Sequence, residues 1–92
     1  ARSKVSYELG HVPGAMSLPS SDYEAGFALV GAKLPKNVRI VVYCTSADCD
    51  ESERVITGLV KKGYQYRYLL HFKDGWNEWE MANLPQEQGP GR

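Results

Sequence analysis

The sequence predicts an α/β fold in which an open parallel sheet is flanked by helices. Residues 38–43, VRIVVY, form a nearly unbroken β-branched run, which is typical of a strand buried on both faces of a parallel sheet. A helix follows and ends at Gly63, and its apolar stripe consists of Val55, Ile56, Leu59 and Val60. A second strand is predicted at 66–70, YRYLL. Strand, helix and strand at this spacing form a βαβ unit with a right-handed crossover.

The segment before this unit predicts an irregular stretch and then a helix. Residues 11–21, HVPGAMSLPSS, hold two prolines and one glycine, so this stretch is irregular or briefly extended and ends in a turn. Ser21 and Glu24 stand three residues apart, which is the spacing of a capping box at a helix start. The helix predicted there has an apolar face and ends before a glycine and a proline; these residues are Tyr23, Phe27, Val30, Gly31 and Pro35.

The later elements are predicted from similar signals. Asp50 and Glu53 repeat the capping-box spacing at the start of the helix between the two strands. A short final helix is predicted over 75–82, and it stops before Pro85 because proline disfavours helical backbone in the residue before it. Residues 86–92, QEQGPGR, are predicted to form a frayed polar tail. Without an internal repeat, residues 1–92 are predicted to form a single domain.

Length and charge exclude several classes of function. The 92 residues suffice for one small core, and 11 basic residues balance 11 acidic residues to a formal net charge of zero. Zero net charge removes the long-range attraction that a nucleic acid or an anionic membrane would exploit, so neither partner is predicted. No apolar run approaches the roughly 18 residues of a membrane span. The oligomeric state and the compartment stay open, with the cytoplasm slightly favoured.

The first cysteine stands where α/β proteins collect ligands. Cys44 directly follows the predicted strand 38–43, and open α/β sheets bind their ligands at the carboxyl ends of strands. The loop that begins at Cys44 ends at a helix start, where free N–H groups and the helix dipole stabilise a thiolate or a bound anion. A reactive thiol is therefore one interpretation of Cys44. The other is a small buried apolar side chain, which is common for cysteine at a strand end.

Three stretches of the chain together resemble the rhodanese domain family. ARSKVSYELGHVPGAMSLP is similar to the family's N-terminal signature, and IVVYC is similar to the strand that leads to its active cysteine. LLHFKDGWNEWEMANLP is similar to the family's closing stretch. The matching residues outside the strand are Arg2, Tyr7, Gly10, His11, Val12, Pro13, Gly14, Ala15, Gly75, Trp76, Trp79 and Pro85. The resemblance implies a rhodanese-like open parallel sheet whose N-terminal strand is truncated here, so a fragment or a processed form of a longer protein is expected.

The resemblance also implies a sulfurtransferase or sulfur carrier. In this family the loop cysteine, here Cys44, takes a sulfane sulfur from a small donor, holds it as a persulfide, and passes it to a thiol or an acceptor protein. Backbone N–H groups and hydroxyls would bind the persulfide anion as they bind an oxyanion. The residues expected to bind it are Thr45, Ser46, Ala47, Asp48, Cys49 and Arg2. No cofactor and no metal is expected.

The loop differs from the usual family pattern in its charge. Family members often carry Arg or Lys beside the cysteine, whereas this loop carries Asp48, Asp50 and Glu51. Acidic groups so close to the site repel the thiosulfate dianion, so thiosulfate is expected to be a poor donor. The loop resembles a variant with the spacing C-x4-C-x2-S, which ends at Ser52.

The second cysteine, Cys49, has three interpretations. It packs as a small side chain at the helix start, or it acts as a resolving thiol for Cys44. Attack by Cys49 on a Cys44 persulfide would release sulfide and leave a disulfide, and a spacer of four residues keeps both sulfurs in one loop. A metal-ligand role has the least support, because the chain has only two cysteines and two histidines.

Two other classes of function compete with sulfur transfer. A non-catalytic interaction or redox-sensing module, in which Cys44 and Cys49 report oxidation, is compatible with the same residues. A phosphatase is less favoured, because the phosphate loop of related phosphatases ends in an arginine that clamps the phosphate. Residues 45–52 contain neither arginine nor lysine.

Overall fold

A pair of parallel strands lies at the centre of the structure, a computed structural model that describes residues 1–90. Strand β1 (Ile40–Tyr43) pairs with β2 (Leu69–Phe72), with Ile40 opposite Leu69 and Tyr43 opposite Phe72. Helix α3 (Glu51–Lys61) connects them, so the predicted strand, helix and parallel strand are confirmed. Within the described range, the other α-helices are α1 (Lys4–Leu9), α2 (Tyr23–Val30) and α4 (Gly75–Met81). The fold is α/β, as predicted.

Helix α3 covers the strands with its apolar face. Leu59 is 1% exposed, and truncating so buried a leucine to alanine costs on the order of 2–5 kcal/mol. Val60 was part of the predicted stripe but is exposed, because it lies at the edge of that face. Gly63 follows the helix with φ +97°, the left-handed backbone that favours glycine after a helix end. The buried core residues are Leu18, Val30, Val42, Val55, Ile56, Leu59, Tyr64 and Leu69.

Strand β2 begins later than the sequence predicts. A 3-10 turn at Tyr66–Tyr68 occupies most of the predicted strand 66–70. Tyr64 is buried and donates from its hydroxyl to the carbonyl of Leu34, whereas Tyr66 is exposed. Burying Tyr64 and then Leu69, five positions later, does not fit the two-residue period of a strand. The chain therefore turns before it enters the sheet.

Helix α1 is an element that the sequence analysis missed. Its hydrophobic residues do not form a stripe, because Val5 and Leu9 are exposed and Tyr7 is the buried residue of the helix. The helix is instead started by Ser3, whose hydroxyl oxygen accepts the amide N–H of Ser6 at 3.2 Å. A serine cap without an apolar stripe is a weak signal in a sequence.

The predicted capping box of Ser21 and Glu24 is wrong. Asp22 occupies the N-cap of α2 with φ 54°, and its side chain makes no capping hydrogen bond. The Glu24 carboxylate accepts a hydrogen bond from the Lys62 ammonium at 2.6 Å. A charged partner at the C-terminal end of α3 competes well with a backbone N–H for a carboxylate, which explains the difference.

The tail after α4 returns to the N-terminal turn. Glu87 forms an antiparallel bridge with His11, through two N–H···O bonds of 2.8 Å. The amide of Gly89 donates to the carbonyl of Glu8 at 2.8 Å. The predicted fraying of residues 86–92 is therefore wrong at Glu87 and Gly89, because backbone bonds hold both. Positions 91 and 92 lie outside the described residues.

His11 is enclosed by this part of the structure. Its side chain has no exposed surface, and its ring stacks on Tyr7 with 3.8 Å between centroids. Nδ1 bonds to the Tyr7 carbonyl at 2.8 Å, and Nε2 faces the Glu87 carboxylate at 3.3 Å. These contacts make His11 a structural residue of the turn.

The helices are short throughout the described part of the chain. Helix α3 has 11 residues. Over residues 1–90, none of the helices combines the length and the apolar character needed to cross a membrane.

Candidate active site

Cys44 is the first residue after β1 and lies at the carboxyl end of the sheet. Its side chain is 1% exposed. The position follows from the sequence, because the apolar run that ends at Tyr43 buries β1 and the chain then leaves the sheet toward α3. The structure thus places the predicted nucleophile in the loop at the end of the strand.

A disulfide joins Cys44 to Cys49. Their Cα atoms are 6.5 Å apart, which lies within the range of bridged cysteines. The Cys44 sulfur also lies 3.6 Å from the carbonyl oxygen of Ser46 and 3.7 Å from that of Cys49. The loop is closed further by the Cys49 amide, which donates to the Ser46 carbonyl at 3.2 Å. Two residues that were predicted to be neighbours from their spacing are therefore in direct contact.

Helix α4 holds the first part of this loop. The amide of Trp76 donates to the Cys44 carbonyl at 2.8 Å, and the amide of Asn77 donates to the Thr45 carbonyl at 2.9 Å. In a trans peptide the N–H points opposite to the C=O. These two bonds therefore turn the N–H groups of Thr45 and Ser46 away from α4. The first-turn N–H groups of α4, which no helix can satisfy internally, find their acceptors in the loop.

Gly75 allows α4 to approach the loop this closely. A Cβ at residue 75 would lie 2.5 Å from the Cys44 carbonyl oxygen and 3.1 Å from the Ser46 nitrogen. The residue also has φ +73°, in the left-handed region that favours glycine. The residues of the chain alone did not assign a role to Gly75. The available signal was a glycine at the first position of the predicted final helix, 75–82, which is an unusual place for one.

Helix α3 begins at the other end of the loop, and its predicted capping box is wrong. Asp50 stands at the N-cap, but its side chain makes no capping hydrogen bond. Its carboxylate accepts a hydrogen bond from Arg54, one turn later, at 3.0 Å, and both side chains are exposed. The ion pair to Arg54 takes the place of the expected cap. Arg54 is also a cation near the loop that the sequence analysis did not consider.

Four of the residues predicted to bind sulfur line the loop. The side chains of Thr45, Ala47 and Asp48 are exposed, and Ser46 is half-buried. The loop surface around the buried sulfur is therefore formed by short side chains and one carboxylate. Whether their amides and hydroxyls bind a persulfide stays a prediction.

Arg2, the other predicted ligand, is held by residues outside the loop. Its Nη1 donates to the Gly10 carbonyl, and its guanidinium lies over the Trp76 ring, 4.7 Å from the ring centroid. Burial lowers the pKa of Arg2 from its ordinary value, and the neighbouring Tyr43 opposes this shift. The contacts described for Arg2 join it to the loop through Trp76 and through Tyr43, the residue before Cys44. Its role as a sulfur ligand stays a prediction. In the structure it bonds to the Gly10 carbonyl and packs on the Trp76 ring.

No metal centre is formed by the described residues. Within 1–90, no group of three or more histidine, cysteine, aspartate or glutamate side chains is placed to hold a metal ion.

The fold and the cysteine loop define a class of protein. The sequence matches the rhodanese-like domain family over residues 1–82, and the chain belongs to that family. It is also similar to the HTH-type transcriptional regulator Rv0324 of Mycobacterium tuberculosis (strain ATCC 25618 / H37Rv), with 30% identity over 83 residues. That match covers 90% of this chain and 34% of the regulator, so the chain spans about a third of the length of this relative.

Proposed function

We propose that this chain is a sulfurtransferase or sulfur carrier in which Cys44 forms a persulfide and passes its sulfane sulfur to a thiol. The observation that carries the proposal is the position of Cys44, at the carboxyl end of β1 in a loop held by α4. Membership of the rhodanese-like family supports it. The start of α3 supports it as well, because the positive end of a helix dipole stabilises a thiolate.

The transfer is two displacements at sulfur. The Cys44 thiolate attacks the outer sulfur of a persulfide donor R–S–SH, the donor S–S bond breaks, and RS⁻ leaves. Cys44 then carries –S–SH. An acceptor thiolate attacks the outer sulfur of this group, the S–S bond breaks, and the Cys44 thiolate is restored. The sulfane sulfur moves without net oxidation or reduction.

Cys49 gives the persulfide a second outcome when no acceptor is present. The Cys49 thiolate attacks the Cys44 sulfur, a disulfide forms between them, and HS⁻ leaves. The contact between the two sulfurs supports this step, because the disulfide is its product. A new cycle then requires two thiols, or one dithiol, as reductant.

The loop favours a small persulfide over thiosulfate as the donor. Asp48 is exposed beside the site, and Asp50 is paired with Arg54, so the loop offers a dianion little net positive charge. Because Cys44 is buried, the donor has to be small enough to reach it across the exposed loop.

Intact mass spectrometry tests the persulfide directly. The reduced protein is incubated with glutathione persulfide, and its mass is expected to rise by roughly 32 Da, one sulfur. Cys44→Ser is expected to show no gain, because a hydroxyl is a far weaker nucleophile toward sulfur. A gain that persists in Cys44→Ser would overturn the assignment.

Cys49→Ala is the matched control for the resolving step. This variant is expected to keep the persulfide longer than the natural sequence. Without an acceptor, the natural sequence is expected to give a species two hydrogen atoms lighter than the reduced protein, together with free sulfide. Equal persulfide lifetimes and no disulfide would return Cys49 to a packing role.

A redox-sensing module is the second function that we propose for this site. The disulfide between Cys44 and Cys49 favours it, and so does the similarity to a protein named as a transcriptional regulator. Sensing would use the same persulfide and the same disulfide, but as a stoichiometric signal. Turnover separates the two functions: a carrier converts many equivalents of acceptor thiol to persulfide, whereas a sensor stops at one disulfide per chain.

A further inference from the structure

We infer that the Ser52 hydroxyl is a third functional group of the site, which donates a hydrogen bond to the Cys44 sulfur when the disulfide is open. The inference rests on the proposed function of Cys44 as a sulfur nucleophile. It assigns the stabilisation of the thiolate and of the persulfide to a side chain that lies outside the loop.

Ser52 is buried, and its hydroxyl makes no hydrogen bond to the described residues. None of its surface is exposed. An unpaired buried hydroxyl destabilises a folded protein, so it calls for an explanation. Among the described residues, two other buried groups, Arg2 Nε and the Tyr23 hydroxyl, also lack a hydrogen-bond partner, and His11 Nε2 makes no hydrogen bond but faces the Glu87 carboxylate at 3.3 Å. Of the four groups, Ser52 is the one in the first turn of the helix that follows the cysteine loop.

The position of Ser52 on α3 directs it toward the end of β1. Ser52 shares the buried face of the helix with Val55, Ile56 and Leu59, and this face packs on the core that includes Val42. In a strand–helix–strand unit with parallel strands, the helix runs back along the strand, so its first turn lies beside the carboxyl end of that strand. One turn before Val55 on this face is Ser52, and two residues after Val42 is Cys44. Both side chains are almost completely buried.

The polar atoms described near the Cys44 sulfur are acceptors, so none of them donates a hydrogen bond that would stabilise a thiolate. The carbonyl oxygens of Ser46 and Cys49 lie within 3.7 Å of it, and carbonyl oxygens disfavour a thiolate. The disulfide of the resting structure has no charge to stabilise. When it opens, the thiolate becomes a strong acceptor, and the Ser52 hydroxyl is the unpaired donor that the buried face of α3 offers to it.

The test measures the reactivity of the single thiol at Cys44 without any sulfur donor. In a reduced Cys49→Ala background, the rate of alkylation by iodoacetamide is followed against pH, and Ser52→Ala is compared with Thr57→Ala. Thr57 lies on the same helix, is exposed, and donates to the Glu53 carbonyl, so its removal controls for loss of a hydroxyl from α3. Ser52→Ala is expected to move the alkylation midpoint up by about one pH unit, because a hydrogen bond to a charged group is worth about that much. Thr57→Ala is expected to leave the midpoint unchanged.

Stability and a conservative variant exclude a purely structural role. Ser52→Ala is expected to keep or raise the urea midpoint of the oxidised protein, because it removes an unpaired buried hydroxyl. Ser52→Thr retains a hydroxyl and is expected to retain the natural alkylation midpoint, which covers the case in which the alanine variant folds poorly. Equal midpoints in Ser52→Ala and Thr57→Ala would overturn the inference. A midpoint shift without persulfide formation at Cys44 would uphold this inference and overturn the proposed function instead.

Discussion

Helices α3 and α4 both begin beside the cysteine loop, but their first turns have different partners. The first N–H groups of α4 bond to the loop backbone at Cys44 and Thr45. At the start of α3, Asp50 gives no side-chain cap, and the hydroxyl of Ser52 has no partner in the described part of the chain. The α4 start therefore holds the loop in place, whereas the start of α3 has neither a side-chain cap nor a partner for the Ser52 hydroxyl among the described residues. The start of α4 is a structural clamp, and the start of α3 is where we propose that the sulfur is stabilised.

The largest expected effect comes from breaking the α4 clamp with Gly75→Ala. A Cβ there meets the Cys44 carbonyl oxygen at 2.5 Å, and the left-handed φ adds strain. We expect a loss of about 2–4 kcal/mol in the free energy of unfolding, measured by urea denaturation. Gly14→Ala is the matched control, because Gly14 has φ +81° with no atom within 4 Å of the added Cβ. That variant isolates the backbone strain, about 1 kcal/mol. Equal losses would show that contact with the loop contributes nothing.

The next effect comes from reducing the disulfide, which loosens the α3 side of the loop. The disulfide spans five positions of the chain, and closing so short a loop stabilises the folded state by about 2 kcal/mol. We expect reductant to lower the free energy of unfolding by that amount in the natural sequence and to change nothing in Cys49→Ala.

Hydrogen exchange on the reduced protein sharpens the same comparison. Amides between the two cysteines are expected to exchange faster after reduction, while those of Trp76 and Asn77 stay protected by their bonds to the loop. Rapid exchange at Trp76 after reduction would contradict an independent α4 clamp.

A smaller effect is expected on the affinity for thiosulfate when the charge of the loop near the start of α3 is changed. Asp48→Arg is expected to improve the apparent affinity for thiosulfate about two- to fivefold, since an exposed charge pair is worth roughly 0.5–1 kcal/mol. Part of the gain is expected to disappear at high salt. Asp48→Asn, which removes the negative charge without adding a positive one, is expected to give an intermediate value. Efficient use of thiosulfate by the natural sequence would show that the acids matter little and the backbone donors suffice.

The smallest effect is expected from Arg54→Ala. The pair with Asp50 is exposed at 66% and 65% of the two side chains, so its loss is expected to cost at most about 0.5 kcal/mol, measured by urea denaturation. Asp50 would also become free to cap α3, which offsets part of the loss. A cost above about 1 kcal/mol would contradict the comparison, because the start of α3 would then be held as firmly as the loop is held by α4.

The sequence predicted the fold correctly where a continuous run of apolar residues forms a buried element. The apolar run that ends at Tyr43 predicts β1, and the position directly after it predicts the location of Cys44. The same reasoning fails where one side chain has two competing partners. Glu24 and Asp50 were both expected to act in capping boxes, yet each pairs with a cation, Lys62 or Arg54. The Glu24 pair depends on a distance between remote residues that a sequence does not contain, whereas the Asp50 pair has a spacing of four residues on one helix and competes directly with the cap.

The sequence predicted the two cysteines of the site but not the residues that hold and surround them. The spacing of Cys44 and Cys49 predicts that they share a loop, and the structure brings them together. The sequence did not assign roles to Gly75 and Ser52, because both roles depend on neighbouring atoms. A carbonyl oxygen lies too close to Gly75 to admit a Cβ, and the buried hydroxyl of Ser52 has no hydrogen-bond partner among the described residues. Arg2 was expected to bind the sulfur, which stays a prediction, and the structure adds a contact that the sequence did not reveal, because its planar guanidinium lies over the Trp76 ring.

The α4 clamp consists of main-chain atoms on the loop side and on the helix side. The side chains of Thr45, Ala47 and Asp48 take no part in it and extend into solvent. Substituting these three side chains would therefore change the shape and the charge of the loop surface, while the peptide planes beside the Cys44 sulfur keep their orientation.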